Sequence, residues 1–516
     1  MFAVLILGWM QLAAPTGEAL SASSGNYQGF PEQDALSYQI ELEFDYATKQ
    51  VAATARLRFR LITANNRLRL HSIADDGWEV VIRDSAGKRL EVERNGQVIT
   101  VLLGREYPAG SVVELDASMN GNPPDGLYLT KNRYGEPILF TDHFSSRARG
   151  WLPCEDHPSD RAAFSLKLVS EDGWEVIASG EDVDGDGTWE THTDLPTYMF
   201  AFATGPYARI TELGDERFIP HFIYQKDKPK ARLGLKHHAA WMKSMEVTFG
   251  PYAWEKYCVV QVPTRWGGVE NAGNTFIMER LFDGRDRGVG TLAHEFVHMW
   301  FGNAAGYGEW HEAWLSEGFA SYFGPWLYAQ TGGPPLRNAL DGARRRWRQA
   351  ACADTRPVRW MGYPKPDDLF GSSAPNTYQK GAWVLHMLRQ EIGDQAFFGG
   401  ISDYYKSISS GYGTTPKFQA AMEQACGREL GWFFSQWLDR PGCPRLNLKW
   451  QGSSLIVTQV QEFPFRFRLP LQWTNQDGEK VDRNFEISDA VTVIDLGGQV
   501  TAPVVDPRVE LLWAKE

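Results

Sequence analysis

Cysteine is sparse in this chain: five residues, at positions 154, 258, 352, 426 and 443, are scattered and odd in number. A small disulfide-stapled scaffold uses an even, closely spaced set, so that class is excluded. Positive charge is in the minority, with 52 Lys and Arg against 64 Asp and Glu and a formal net charge of -12. A phosphate-binding surface needs the opposite balance, which excludes nucleic acid as a partner. The basic run Arg344-Arg345-Arg346-Trp347-Arg348 reads as a solvated helix face. Long hydrophobic runs are missing as well. The stretch Met1 to Ala14, interrupted by Gln11, is too short to span a bilayer, and no stable transmembrane span is expected. Small residues follow around Ala19 to Ala22, so residues 1–22 read as a signal peptide and predict a periplasmic or secreted chain. No Lys or Arg precedes the apolar stretch, which keeps a cytoplasmic chain as the alternative.

What is present is ordinary globular material in quantity. With 516 residues, 43% hydrophobic and 22% charged, the chain exceeds one core and divides into several domains. Near residue 34 the pattern has period two: Tyr38, Ile40, Leu42 and Phe44 alternate with Ser37, Gln39, Glu41 and Glu43. Ala55, Leu57, Phe59 and Leu61 then alternate with Thr54, Arg56, Arg58 and Arg60, which predicts a partner strand. Residues 23–206 are therefore expected to form a β domain of sandwich or saddle type. Within it, Asp182-Val183-Asp184-Gly185-Asp186-Gly187 matches the opening of an EF-hand calcium loop, but the twelfth position is Thr193 rather than a bidentate carboxylate. The stretch reads as an Asp-Gly turn.

Beyond residue 206 the period becomes helical. Segments 232–248, 289–301, 312–330, 335–351, 379–389 and 417–438 have helical length and are separated by Pro and Gly, giving a mostly α domain over residues 207–440. Strand-like alternation returns in residues 441–516 and predicts a small C-terminal β domain. The fold class is multidomain α+β.

The chemistry centres on His294-Glu295-Phe296-Val297-His298. Histidines four apart on a helix leave the same face and can close on one Zn²⁺, with the adjacent glutamate as a base. Catalytic zinc takes three protein ligands and keeps one position open, so a third ligand is required, and Glu317 in Trp314-Leu315-Ser316-Glu317-Gly318 is the candidate. Upstream, Gly267-Gly268-Val269-Glu270-Asn271 combines glycines that admit close backbone approach with a carboxylate able to pair with a substrate ammonium. Downstream, Tyr378 in Tyr378-Gln379-Lys380-Gly381 offers a phenol that can donate to a developing oxyanion.

In this order and spacing the motifs resemble the zinc aminopeptidases of the aminopeptidase N and leukotriene hydrolase family. Eighteen residues separate His298 from Glu317, as in that family's metal pattern, and Gly267 to Asn271 is similar to its Gly-x-Met-Glu-Asn exopeptidase motif. Trp300-Phe301-Gly302-Asn303, Tyr378-x-Lys380-Gly381-Ala382 and Leu152 to Pro158 extend the likeness over roughly residues 35 to 440. The resemblance implies one zinc ion held by His294, His298 and Glu317, general acid/base work at Glu295 and oxyanion stabilisation at Tyr378. It further implies substrate contact through residues 267–271, with α-amine recognition at Glu270, and substrates that are peptides with a free N-terminus. It also implies a saddle-like β domain, a thermolysin-like catalytic domain and a small β-sandwich. Three departures stand out. Val269 replaces Met, which is expected to reshape the first side-chain pocket. Phe144 stands where relatives carry Gln or Glu, so Asp142 or His143 would have to assist Glu270. A large C-terminal helical domain found in many relatives is not expected here, which implies a more open cleft.

Three other activities compete. An endopeptidase would cut peptides with acetylated N-termini, which Glu270 should forbid. Epoxide hydrolysis, the other activity of the leukotriene branch, would need an aspartate where Phe370 stands. A silent binding scaffold would have no reason to keep His294, Glu295, His298, Glu317 and Tyr378 together.

Overall fold

The computed structural model describes residues 24–211, 217–284, 287–409, 411–497 and 503–516. The expected signal peptide lies outside the described residues. The alternating segments form long antiparallel strands, Gln33–Asp45 and Gln50–Leu61, with Tyr38 opposite Leu57 and Ile40 opposite Ala55. Their apolar side chains are inside: Tyr38, Leu42, Leu57, Phe59 and Leu61 are fully buried. These strands form the centre of a six-stranded sheet whose order is Thr188–Glu190, Ala163–Leu168, Gln33–Asp45, Gln50–Leu61, Val112–Gly121, Trp78–Asp84. Smaller sheets of four and three strands complete the N-terminal β domain. In the acidic loop, Asp182 accepts from the Gly187 amide at 3.2 Å and Asp186 from the Thr188 amide at 2.8 Å. Its carboxylates thus serve the turn itself, and the antiparallel bridge Glu181–Glu190 closes it.

The second domain is mostly helical, and its first part is a sheet that helical periodicity did not predict. Five strands lie in the order Tyr207–Ile210, His221–Tyr224, Cys258–Val262, Asn274–Met278, Gly268–Val269. Cys258–Val262 is buried at every position and Asn274–Met278 at all but Met278, so neither shows the polar alternation that marks a half-exposed strand. The single helix expected over 232–248 is two, Lys228–Leu235 and His238–Phe249. The one expected over 417–438 is also two, Thr415–Cys426 and Gly431–Leu438, because Gly427 ends the first in the left-handed region at φ 67°. Helices Arg287–His298, Trp314–Gln330 and Leu336–Arg348 fall where expected.

The last described residues form two small sheets, one built on Arg445–Gln451 and Ser454–Gln459, the other on Phe467–Thr474 and Lys480–Ile487. Leu446, Leu455 and Val457 of the first and Leu469, Leu471 and Ile487 of the second are buried. All five cysteines are free. Among the described residues no helix is long and apolar enough to cross a membrane.

Between the β domain and the catalytic domain, the segment around Leu152 to Pro158 is locked by a buried ion pair. Arg149 Nε donates to Asp156 Oδ2 at 2.9 Å, with side-chain exposures of 0% and 1%. Thr197 donates to the other carboxylate oxygen at 2.6 Å. Removing one partner of such a pair leaves an uncompensated buried charge. Arg149→Met should therefore lower the stability of the β domain by about 3–5 kcal/mol in urea unfolding. A loss below about 1 kcal/mol would show that the pair is not structural.

Candidate active site

Helix Arg287–His298 presents His294 and His298 on one face, with their Nε2 atoms 3.2 Å apart. His298 ends the helix, and its Nδ1 is engaged by the Phe301 carbonyl at 3.1 Å and the Ser316 hydroxyl at 3.0 Å. A proton on Nδ1 is donated to that carbonyl, so Nε2 is the nitrogen left for a metal, which it could bind once it gives up its own proton. The chain reverses just after the helix at Gly302, whose φ is +112°. A Cβ at Gly302 would lie 2.2 Å from Ser316 Oγ, so both the conformation and the contact require glycine.

Glu317 sits in the first turn of helix Trp314–Gln330. Glycines bring that helix in. A Cβ on Gly324 would stand 3.0 Å from the backbone N and Cα of His294, and one on Gly318 would stand 3.0 Å from the Gly381 backbone. Glu317 Oε2 consequently lies 3.2 Å from His294 Nε2 and 3.4 Å from His298 Nε2. Ligands about 2.0–2.1 Å from a tetrahedral zinc are separated by roughly 3.3 Å, so these three donors fit that ion. The donor set of two imidazoles and one carboxylate is also one that zinc accepts. Burial alone would raise the pKa of Glu317, but the charge of His298 and hydrogen bonds from both imidazoles outweigh it and hold the value at about 2. Burial would likewise lower His298, and the carboxylates of Glu270, Glu317 and Glu295 instead raise it to about 10.

Tyr378 comes from a π-helical turn, Asn376–Lys380, that precedes helix Gly381–Ile392. Asn376 pins the turn by accepting from Trp347 Nε1 at 2.7 Å and donating to the Cys352 and Arg356 carbonyls at 3.1 and 2.9 Å. The Tyr378 hydroxyl donates to Glu317 Oε1 at 2.7 Å, and its ring stacks on that of His294 at 6.0 Å. Glu295 is buried, and burial holds its carboxyl well above the usual carboxylate range. The edge strand Gly268–Val269 passes directly over it: a Cβ on Gly268 would be 2.4 Å from Glu295 Oε1. Glu270 follows that strand, and its carbonyl accepts from Asn303 Nδ2 at 2.6 Å. Its carboxyl group is raised to about 7 by burial, and one of its oxygens lies within 4.8 Å of one Glu295 carboxylate oxygen and one His298 ring nitrogen.

These groups surround a cavity of about 180 Å³ lined by Phe144, Trp266, Gly267, Gly268, Glu270, His294, Glu295, His298, Glu317 and Tyr378. Eight sequence-predicted residues are thus brought together: Gly267, Gly268, Glu270, His294, Glu295, His298, Glu317 and Tyr378. Two others, Val269 and Asn271, are buried but do not line the cavity. Side chains alternate along an extended strand, so Val269 points away from the face that Gly268 and Glu270 share. Asp142 and His143 do not reach the cavity either. Asp142 accepts from Thr264 at 3.2 Å and pairs with Arg147 at 3.1 Å, while His143 accepts from Trp151 Nε1 at 2.8 Å. Of the other lining residues, Phe144 entered the motif reading only as a departure from the family, and Trp266 did not enter it.

Two family signatures match the chain: the Peptidase M1 N-terminal domain over residues 34–199 and the Peptidase family M1 domain over residues 234–437. The chain belongs to peptidase family M1. Aminopeptidase N of Streptomyces lividans is 25% identical over 92% of this chain and 58% of its own length. Tricorn protease-interacting factor F2 of Thermoplasma acidophilum is 23% identical over 88% of this chain and 61% of its own. Glutamyl aminopeptidase of Bos taurus is 26% identical over 73% of this chain and 43% of its own. The chain therefore spans between about two fifths and three fifths of the length of these M1 relatives.

Of the groups that support the M1 site from behind, Gly302, Asn303, Ser316 and Gly318 fall inside segments already quoted, without a role of their own, and Gly324 and Asn376 fall outside them. Ser316, Gly302, Gly318, Gly324, Asn303 and Asn376 act by packing or hydrogen bonding. A further signal was glycine inside a helical pattern, at Gly318 and Gly324, which is unfavourable without a packing reason. Partners behind a metal ligand typically carry about 10–100-fold in metal affinity. Ser316→Ala should weaken zinc binding by about tenfold in a chelating-dye competition, and His298→Ala should abolish it. Unchanged affinity in His298→Ala would refute the ligand assignment.

Proposed function

We propose that this chain is a zinc-dependent aminopeptidase that hydrolyses the N-terminal peptide bond of peptides. The observation that carries the reading is the buried Glu270 carboxylate inside the same small cavity as His294, His298, Glu317 and Glu295. A carboxylate there, with no Lys or Arg beside it among the described lining residues, is suited to a substrate ammonium. Zn²⁺ held by His294, His298 and Glu317 would supply Lewis-acid polarisation of the scissile carbonyl and of the attacking water.

The protein's residues do the rest. Glu270 anchors the α-amine, and the cavity closes against Gly267 and Gly268, whose missing side chains let the substrate backbone lie along the strand edge. This places the first peptide carbonyl beside Glu295. Glu295 takes the proton from the attacking water and delivers it to the leaving amine; its raised affinity for protons suits the second half of that task. Tyr378, whose hydroxyl points at the ligand group, turns its donor to the developing oxyanion. The names of several relatives, aminopeptidase N and glutamyl aminopeptidase among them, support the exopeptidase reading. A periplasmic or secreted location belongs to the same proposal.

General acid/base groups contribute about 10²–10⁴-fold, so Glu295→Gln should lose that factor in kcat on amino-acid anilides while retaining bound zinc. Tyr378→Phe should lose about 10²–10³-fold, mainly in kcat rather than KM. Full activity of Glu295→Gln would end the proposed mechanism. Removal of zinc by a chelator should abolish turnover, and its return should restore it.

A further inference from the structure

The wall of the cavity adjoining Glu270 is aromatic and comes from both domains. Phe144, from the β domain, packs edge to face on Phe370 of the catalytic domain, with centroids 4.5 Å apart and planes at 63°. It meets Trp266 at 5.9 Å and 86°, and Tyr198 at 5.8 Å and 71°. Held on three sides, the Phe144 ring is 4% exposed, and what it shows faces the cavity. Among the described residues no Lys or Arg lines that cavity. Arg265 follows the chain at the rim, but its guanidinium is stacked on Trp266 at 4.5 Å and paired with Asp367 at 3.6 Å.

A substrate whose ammonium rests on Glu270 must place the side chain on the same carbon within a few ångströms of it. In this cavity that means contact with aromatic rings, whose faces carry negative charge density, next to three carboxylates. An apolar side chain gains by leaving water for such a surface. A carboxylate side chain would be desolvated against rings that offer it no Lys or Arg, because the cationic groups of the cavity are those already engaged by Glu317 and Glu295 at the metal site.

We infer that Phe144, backed by Phe370, is the specificity-determining residue of this site, selecting peptides whose first residue is uncharged and apolar and rejecting those that begin with Asp or Glu. The inference rests on the aminopeptidase reading given above. It is tested in the zinc-loaded full chain carrying Glu295→Gln, by calorimetric titration with leucinamide and with the α-amide of glutamic acid. Leucinamide should bind at least about 100-fold more tightly, and Phe144→Gln should narrow that ratio by about tenfold or more, with Phe144→Leu retaining most of it. Equal binding of the two amides, or an unchanged ratio in a Phe144→Gln protein of normal melting temperature and zinc content, would overturn it. A parallel anilide panel on the protein with Glu295 intact separates the two proposals. Leucinamide selectivity without turnover of any anilide would refute the aminopeptidase while supporting the pocket, whereas equal turnover of leucine and glutamate anilides would refute the pocket alone.

Discussion

The site depends on how closely three helical segments approach one another at their backbones. Gly324 lets helix Trp314–Gln330 touch the backbone of His294, and Gly318 lets the same helix touch Gly381. A side chain at either position would force the two backbones apart by a few tenths of an ångström. A triad whose donors stand 3.2–3.4 Å apart tolerates little of that. Gly302 fixes the exit of the histidine helix in the same way, and the surrounding tryptophans and phenylalanines hold the arrangement by filling the volume around it.

Against that centre the β domain and the edge strand supply the facing wall of the cavity, through Phe144, Gly267, Gly268 and Glu270. Asn303 ties the loop after the histidine helix to the Glu270 carbonyl, and Arg161 of the β domain donates to the Asn303 carbonyl at 3.2 Å. The Ala272 amide donates to the Met199 carbonyl of the β domain at 3.2 Å. Glu270 is thus registered against both domains, and its distance from Glu295 is set by the interface.

The local parts of this design were legible in the sequence. Two histidines four apart and a glutamate between them need only a helix to act together, and the long amphipathic strands Gln33–Asp45 and Gln50–Leu61 declare themselves by alternation. Glu317, Glu270 and Tyr378 were reached through a resemblance in spacing, because nothing in an isolated glutamate or tyrosine marks it. The catalytic sheet was missed because its central strands are buried on both faces. Val269 and Asn271 were grouped with Glu270 by adjacency, although alternation along a strand separates them. Phe144 was visible as a departure from the family, but its contact with Phe370 joins two domains and could be seen only in the fold.

The central claim is that Glu270 turns a general zinc hydrolase into one that reads a free N-terminus. One apolar peptide, prepared with a free and with an acetylated N-terminus and followed by mass spectrometry, tests it most directly. The account predicts stepwise loss of residues from the free peptide and no cleavage of the acetylated one. Internal cuts in the acetylated peptide, suppressed by chelator and by Glu295→Gln, would contradict it.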